Sequence, residues 1–209
     1  DNQKVFGSAY FVMQEDAVVC EKCFGTTSPH STGPVTNRTI FRLASMTKPI
    51  TAIAALILVD RGLLSLSDKV VDYLPEFKDI HITQITQTGE LVDLGKAKND
   101  ITVLHLLTHS SGIGSIAMSK SAKMTDEDKK SVDNTVKFFA KIGLDYEPGT
   151  KQYYSGIAAF DALVKIIEGI TQTDYLTFLQ QEIFEPCDMV DTTFIPTEAQ
   201  WGRLIAMHN

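Results

Sequence analysis

The stretch Phe41-Arg-Leu-Ala-Ser-Met-Thr-Lys-Pro-Ile-Thr-Ala-Ile-Ala-Ala-Leu-Ile-Leu-Val-Asp-Arg61 organises the reading of this chain. It sets a serine, Ser45, at the mouth of a long apolar helix, with Lys48 one turn further in. From Thr47 to Val59 nearly every residue is apolar or small, which predicts a helix buried on most of its sides. Pro49 is tolerated in the first turn, where amides have no intrahelical acceptor to lose. Gly62, after Asp60-Arg61, is placed to end the helix. Residues three apart share a helix face, so the Ser45 hydroxyl and the Lys48 amine form a candidate nucleophile and activator. Alone, the pattern is weak: 13 Ser and 15 Lys in 209 residues give about one Ser-x-x-Lys by chance. The rest of the chain must supply the specificity.

Bulk properties narrow the field. A length of 209 residues allows one large domain or two small ones. Apolar residues at 44% and charged residues at 22% fit a globular protein. A net charge of −7, with no basic stripe, argues against a nucleic-acid partner. No apolar run reaches the roughly 18 residues of a membrane span. The chain begins Asp1-Asn-Gln-Lys4, without a signal-peptide pattern, which fits a cytoplasmic protein, a processed mature one or a trimmed piece. Three cysteines, Cys20, Cys23 and Cys187, do not make a disulfide framework. Cys20-Glu-Lys-Cys23 has metal-ligand spacing, but it has no second pair and falls in a predicted strand; free thiols are expected. His30, His81, His105 and His208 show no metal spacing and are expected at the surface or satisfied. Neither metal nor cofactor is expected.

Along the chain, residues 5–14 and 17–24 are rich in aromatic and β-branched types and predict an antiparallel hairpin turning at Glu15-Asp16. Residues 25–37 form a Ser/Thr/Pro/Gly-rich loop. Ser67 is expected to cap a short helix that Pro75 ends. Thr88-Gly89-Glu90 suggests a small hairpin within residues 80–99. Thr102 is expected to cap a helix reaching His109, and Ser110-Ser-Gly-Ile-Gly114 an irregular turn. Thr125-Asp-Glu-Asp128 predicts the start of a helix that Gly143 stops near Ile142. A tight turn at residues 146–150 precedes helices at about 158–169 and 173–184. Two strands followed by a mostly helical run suggest a sheet whose other strands lie far off in sequence.

Several segments then occur in one order: Ser45-Met-Thr-Lys48, Gly62-Leu-Leu-Ser-Leu-Ser-Asp68, Tyr73-Leu-Pro75, Ile101-Thr-Val-Leu-His-Leu-Leu-Thr-His-Ser-Ser-Gly112, Glu147-Pro-Gly-Thr150, Tyr154-Ser-Gly156 and Ile183-Phe-Glu-Pro186. Together they resemble the serine β-lactamase-related family: class C β-lactamases, D-alanyl-D-alanine carboxypeptidases and esterases of the same fold. The resemblance covers about residues 36 to 195. It implies an α and β, β-lactamase/transpeptidase-like fold, an antiparallel sheet flanked by helices plus a mostly helical region. It also implies a serine hydrolase with Ser45, Lys48 and Tyr154 as catalytic residues.

The implied chemistry meets a physical need. A serine hydroxyl must lose its proton in place before it can attack a carbonyl. Lys48 could take that proton itself, or could hold Tyr154 as its phenolate. The Ser45 amide would form half of an oxyanion hole. Tyr153 competes with Tyr154, but Tyr154-Ser-Gly156 precedes a predicted helix as the family's tyrosine motif does. His109 invites a Ser-His reading, whereas the resemblance makes it structural.

Two departures matter. The lactamases and peptidases usually read Tyr-x-Asn at the tyrosine motif, where the amide helps to hold an amide substrate; Gly156 offers no side chain there. This tilts the expectation towards a small ester or an unusual amide. In addition, no Lys-x-Gly or His-x-Gly triplet follows Tyr154, and the chain ends soon after Thr192-Thr-Phe194. An incomplete sheet, a missing C-terminal segment or a second chain is therefore expected. Residues 1–62 are read as the α/β part and residues 63–209 as the mostly helical region. The expected function is an esterase-like or β-lactamase-related serine hydrolase acting through an acyl-enzyme on a small-molecule ester or amide. The alternatives are a D-Ala-directed carboxypeptidase or β-lactamase, and a non-catalytic binding or scaffolding relative of the same fold.

Overall fold

The computed structural model of the protein describes residues 5–114 and 123–207. His208 lies outside them. The chain forms two compact units, one of residues 1–44 with 188–209 and the other of residues 45–187.

The first unit is built on an antiparallel hairpin of β1 (Gly7–Gln14) and β2 (Ala17–Gly25). Gln14 pairs with Ala17, so Glu15 and Asp16 form a two-residue turn, with φ of 48° and 62°. Such a turn needs two left-handed residues, because only then does its twist match that of the strands. A bulge interrupts the register between Val12 and Met13. The segment after the loop pairs with the far end of the chain: Ile40 N–H donates to Arg203 O, and Ile205 N–H to Ile40 O, both at 2.9 Å. Arg203 also pairs with Asp191 and donates to Arg38 O. The short helix Glu198–Trp201, capped reciprocally by Thr197 and Gln200, is a feature that the sequence reading did not contain.

The second unit is mostly helical. Helix α1 (Thr47–Asp60) follows a 3₁₀ turn at Ala44–Met46. It ends in a Schellman motif: Leu63 N–H donates to Leu58 O at 2.9 Å and Gly62 N–H to Val59 O at 3.0 Å, with Gly62 at φ 69°. The expectation that α1 is buried on most sides is corrected. Only Thr51, Ala54, Ala55 and Leu58 are buried, while Ile53 and Leu56 are 48% and 46% exposed. These buried positions recur at i, i+3, i+4 and i+7, one stripe of the helix. The apolar run is wider than the face its neighbours cover.

Helix α2 (Val70–Tyr73) starts after Lys69, not at a Ser67 cap, and Pro75 opens a 3₁₀ turn, Pro75–Phe77, that directly follows it. The reason lies across the fold. Val70 N–H donates to Ile101 O and Val103 N–H to Asp68 O, so these amides are satisfied by a neighbouring segment. The expected excursion is the hairpin of β3 (His81–Ile85) and β4 (Leu91–Lys96). Helix α3 (Val103–Leu107) is capped by Thr102 and stops two residues short of His109.

Thr125 and Asp128 do cap one another, but they close a single turn only; α4 (Val132–Ile142) begins after a second cap, Ser131. Thr135 Oγ1 and Asn134 Nδ2 donate to the carbonyls of Asp128 and Glu127, which turns the chain between the two caps. Helix α5 (Ala158–Thr171) is the centre of this unit, with Ala159, Ala162, Leu163, Ile166 and Ile167 fully buried. Asp174 caps α6 (Tyr175–Leu179), which runs on through a π-helical turn, Gln180–Phe184. Arg61 grips Glu182 with two hydrogen bonds, at 2.9 and 2.5 Å. No described helix is long and apolar enough to cross a membrane.

Two helix-ending glycines test this picture. Gly62 (φ 69°) faces open space, whereas a Cβ on Gly143 (φ 83°) would lie 2.6 Å from His81 O. Gly62→Ala should cost about 1 kcal/mol from backbone strain alone. Gly143→Ala adds a collision with backbone and should cost about 3 kcal/mol, read as the shift in urea midpoint.

Candidate active site

Ser45 lies in the 3₁₀ turn that leads into α1, directly after Ala44 at φ 46°. A left-handed alanine costs about 1 kcal/mol and persists only where the surroundings fix it. Lys48, in the first turn of α1, reaches back so that Nζ donates to Ser45 Oγ at 3.3 Å. Tyr154 precedes α5, and its hydroxyl donates to Ser45 Oγ at 2.6 Å. Residues 109 positions apart in sequence thus converge on one oxygen.

The lysine is surrounded by ring faces. Its Nζ lies 5.0 Å from the centre of the Tyr154 ring and 5.7 Å from that of Phe160. This geometry favours a cation over the rings. Hydrogen bonding to Lys48, and then to Ser45, lowers the Tyr154 pKa from its ordinary value, against a smaller opposing effect of desolvation. Tyr154 is 39% exposed and Ser45 is exposed, so the three groups meet at an open surface.

The competing candidates fall elsewhere. Tyr153 packs its ring against Tyr146 at 5.8 Å. His109 points its Nδ1 at the Ser155 backbone N–H (3.1 Å) and stacks on Tyr154 and Phe160. His81 pairs with Asp93, and His105 closes the α3 capping box. Cys20, Cys23 and Cys187 are free thiols. Among the described residues no group of His, Cys, Asp or Glu could hold a metal ion.

One group near the lysine was not singled out in the sequence. Asp161, in the first turn of α5, has its carboxyl pushed up to about 6 by burial, with the charge of Lys48 pulling the other way. An acid among Ala158, Ala159, Phe160, Ala162 and Leu163, all buried, is the signal that could have marked it.

Comparison with known proteins places the chain in a family. A family model described as Beta-lactamase matches residues 1–209. The chain belongs to the Beta-lactamase family. It is 35% identical over 166 residues to an N-acetylmuramyl-L-alanine amidase of Bacillus subtilis, covering 77% of this chain and 34% of that protein. It is 28% identical over 210 residues to esterase EstB of Burkholderia gladioli, covering 95% and 49%. The crystal structure of a β-lactamase/D-alanine carboxypeptidase from Yersinia pestis superposes with a TM-score of 0.76 at 27% identity, covering 96% of this chain and 53% of that one. The fold is thus of the β-lactamase/transpeptidase type, antiparallel strands with flanking helices. The chain spans about a third to a half of the length of these relatives.

Asp161 makes a pH-dependent contribution to stability. Its folded-state pKa of about 6 lies above the ordinary 3.8, so the folded state binds the extra proton. The associated stability is present below about pH 4 and is lost as pH rises through about 6. Asp161→Asn should therefore melt higher than the wild type near pH 8, by up to about 3 kcal/mol, and the gap should close near pH 4 in thermal melts.

Proposed function

We propose that this chain carries the nucleophilic centre of a serine hydrolase that works through an acyl-enzyme on Ser45, with Lys48 and Tyr154 as its proton-handling partners. The observation that carries the reading is the 2.6 Å contact between Tyr154 OH and Ser45 Oγ, with Lys48 Nζ 3.3 Å from the same oxygen. The neutral phenol donates across that contact; the phenolate accepts across it. Once Tyr154 is ionised, Ser45 Oγ can attack a carbonyl carbon as its proton passes to the phenolate. The carbonyl oxygen takes up the electron pair, and the Ser45 amide, in the turn that leads into α1, would donate to it. When the intermediate collapses, the bond to the leaving alcohol breaks and Tyr154 returns the proton to that oxygen. Water then repeats the sequence and releases the acid.

An ester is favoured over an amide as substrate. Gly156, two residues beyond Tyr154, presents no side-chain amide to a peptide or lactam group. Esterase EstB is a relative over nearly the whole chain. A second reading, a D-Ala-directed carboxypeptidase or β-lactamase, draws on the likeness to the Yersinia pestis enzyme. The ligand is a small molecule in either case, and no metal enters the mechanism as drawn.

A fluorophosphonate probe followed by intact-mass spectrometry tests the nucleophile. The wild type should gain one adduct and Ser45→Ala none, while Tyr154→Phe should label about 10² to 10⁴ times more slowly. Because the reactive form is the phenolate and its pKa is lowered, the labelling rate should climb with pH to a midpoint below 10. Hydrolysis of a p-nitrophenyl ester without turnover of a chromogenic cephalosporin would favour the esterase; the opposite pattern would favour the second reading. An unlabelled wild type would remove the hydrolase reading.

A further inference from the structure

Three consecutive residues around the tyrosine are held by one histidine. The His109 carbonyl accepts from Tyr153 N–H at 3.1 Å. Its Nδ1 accepts from Ser155 N–H at 3.1 Å. Between these two bonds its ring lies against the Tyr154 ring, with centres 4.8 Å apart and planes tilted by 46°. Phe160 closes on the same imidazole at 5.3 Å. The buried Tyr146 ties the arrangement together: its hydroxyl donates to His109 O at 3.1 Å and accepts from Tyr153 N–H at 3.3 Å. His109 holds this place at φ 57°, a region that histidine, asparagine and aspartate enter more readily than most residues.

We infer that His109 is a positioning residue: it clamps the backbone on both sides of Tyr154 and so aims the phenolic oxygen at Ser45, and it does so only while Nδ1 is unprotonated. The inference rests on the proposed role of Tyr154 as proton acceptor. The chemical reason is direct. A backbone N–H needs a lone pair to bond to, and Nδ1 offers one only in the tautomer that carries its proton on Nε2. Protonation would set one N–H against another, release Ser155 and bring a positive charge towards Lys48. Burial, followed by the charge of Lys48, lowers the His109 pKa, which keeps the ring neutral near pH 7.

The surrounding groups on each element define what else titrates. Lys48 approaches from α1, and Tyr146 and Tyr154 from the turn before α5. Asp161, on α5 next to Phe160, titrates at about 6 and would give an acid limb of its own through Lys48. His105, on α3, is engaged with Thr102. Asp161→Asn is therefore the necessary control.

The test is the rate of fluorophosphonate adduct formation on Ser45 from about pH 5 to about pH 9, across the titration range of histidine. His109→Asn keeps an acceptor that cannot be protonated and tolerates positive φ, but it loses the ring. It should label about tenfold more slowly than wild type at pH 8, with the His109 component of the acid fall removed. Asp161→Asn should retain that component. His109→Phe keeps a ring and loses the acceptor, so its loss should exceed that of His109→Asn. An acid fall unchanged in His109→Asn, or labelling within about twofold of wild type at every pH, would overturn the clamp.

A second readout needs no turnover. Imidazole ¹⁵N NMR of the wild type should find Nδ1 bare at pH 7, with the Ser155 amide protected from exchange. A proton on Nδ1, or a fast-exchanging Ser155 amide, overturns the inference. If the wild type forms no adduct, the hydrolase reading falls and the NMR result alone decides whether His109 clamps this turn.

Discussion

The close approach of α1 and α5 is the constraint on which the second unit depends. The two helices pack together, and the residues each buries completely include Ala54 and Ala55 on α1 and Ala159 and Ala162 on α5. Small side chains let helix backbones come near, and close packing then fixes how the helices are offset. The groups that converge lie at the N-terminal ends of these helices: Ser45 and Lys48 at α1, Tyr154 just before α5 and Phe160-Asp161 within its first turn. An offset error of an ångström would break a 2.6 Å contact.

Lys48 is the electrostatic centre of that arrangement. It donates to Ser45, faces the Tyr154 and Phe160 rings, and acts through space on His109 and Asp161. Each neighbour responds according to its own chemistry. A phenol beside a cation ionises more easily, an imidazole beside a cation resists protonation, and a buried acid is drawn back towards its charged form. One ammonium thus biases the hydroxyl–phenol pair towards the ionised tyrosine while favouring the neutral histidine behind it.

Where the fold departs from its sequence pattern, hydrogen bonds from residues outside the local motif are responsible. Ser67 has the side chain of a cap, but the Val70 amide already has Ile101 O as partner, so α2 starts later. Thr125 and Asp128 satisfy each other in a single turn, and the side chains of Asn134 and Thr135 hold that turn's carbonyls while a new cap starts α4. Conversely, the Glu15-Asp16 turn, the Thr102 cap and the closure at Gly62 appear where expected, because each depends on residues within one turn of itself. The apolar excess of α1 has the same origin as the misplaced caps. Composition states how much of a helix prefers burial, and only its neighbours decide how much is buried.

The sequence by itself determined the family resemblance, the hairpin, most helices and the three residues nominated for chemistry, since motif order and local propensity are written along the chain. It left Tyr153 and Tyr154 side by side with nothing physical to separate them. It gave His109 no partner, and it did not distinguish Asp161 from any other acid in a helix. The tertiary structure decided these. It places Tyr154 on Ser45, turns Tyr153 to Tyr146, sets His109 behind the tyrosine and brings Asp161 within the field of Lys48. The physical reason is that hydrogen bonds and electrostatic fields act over a few ångströms of space whatever the separation along the chain, which is 109 positions for Ser45 and Tyr154.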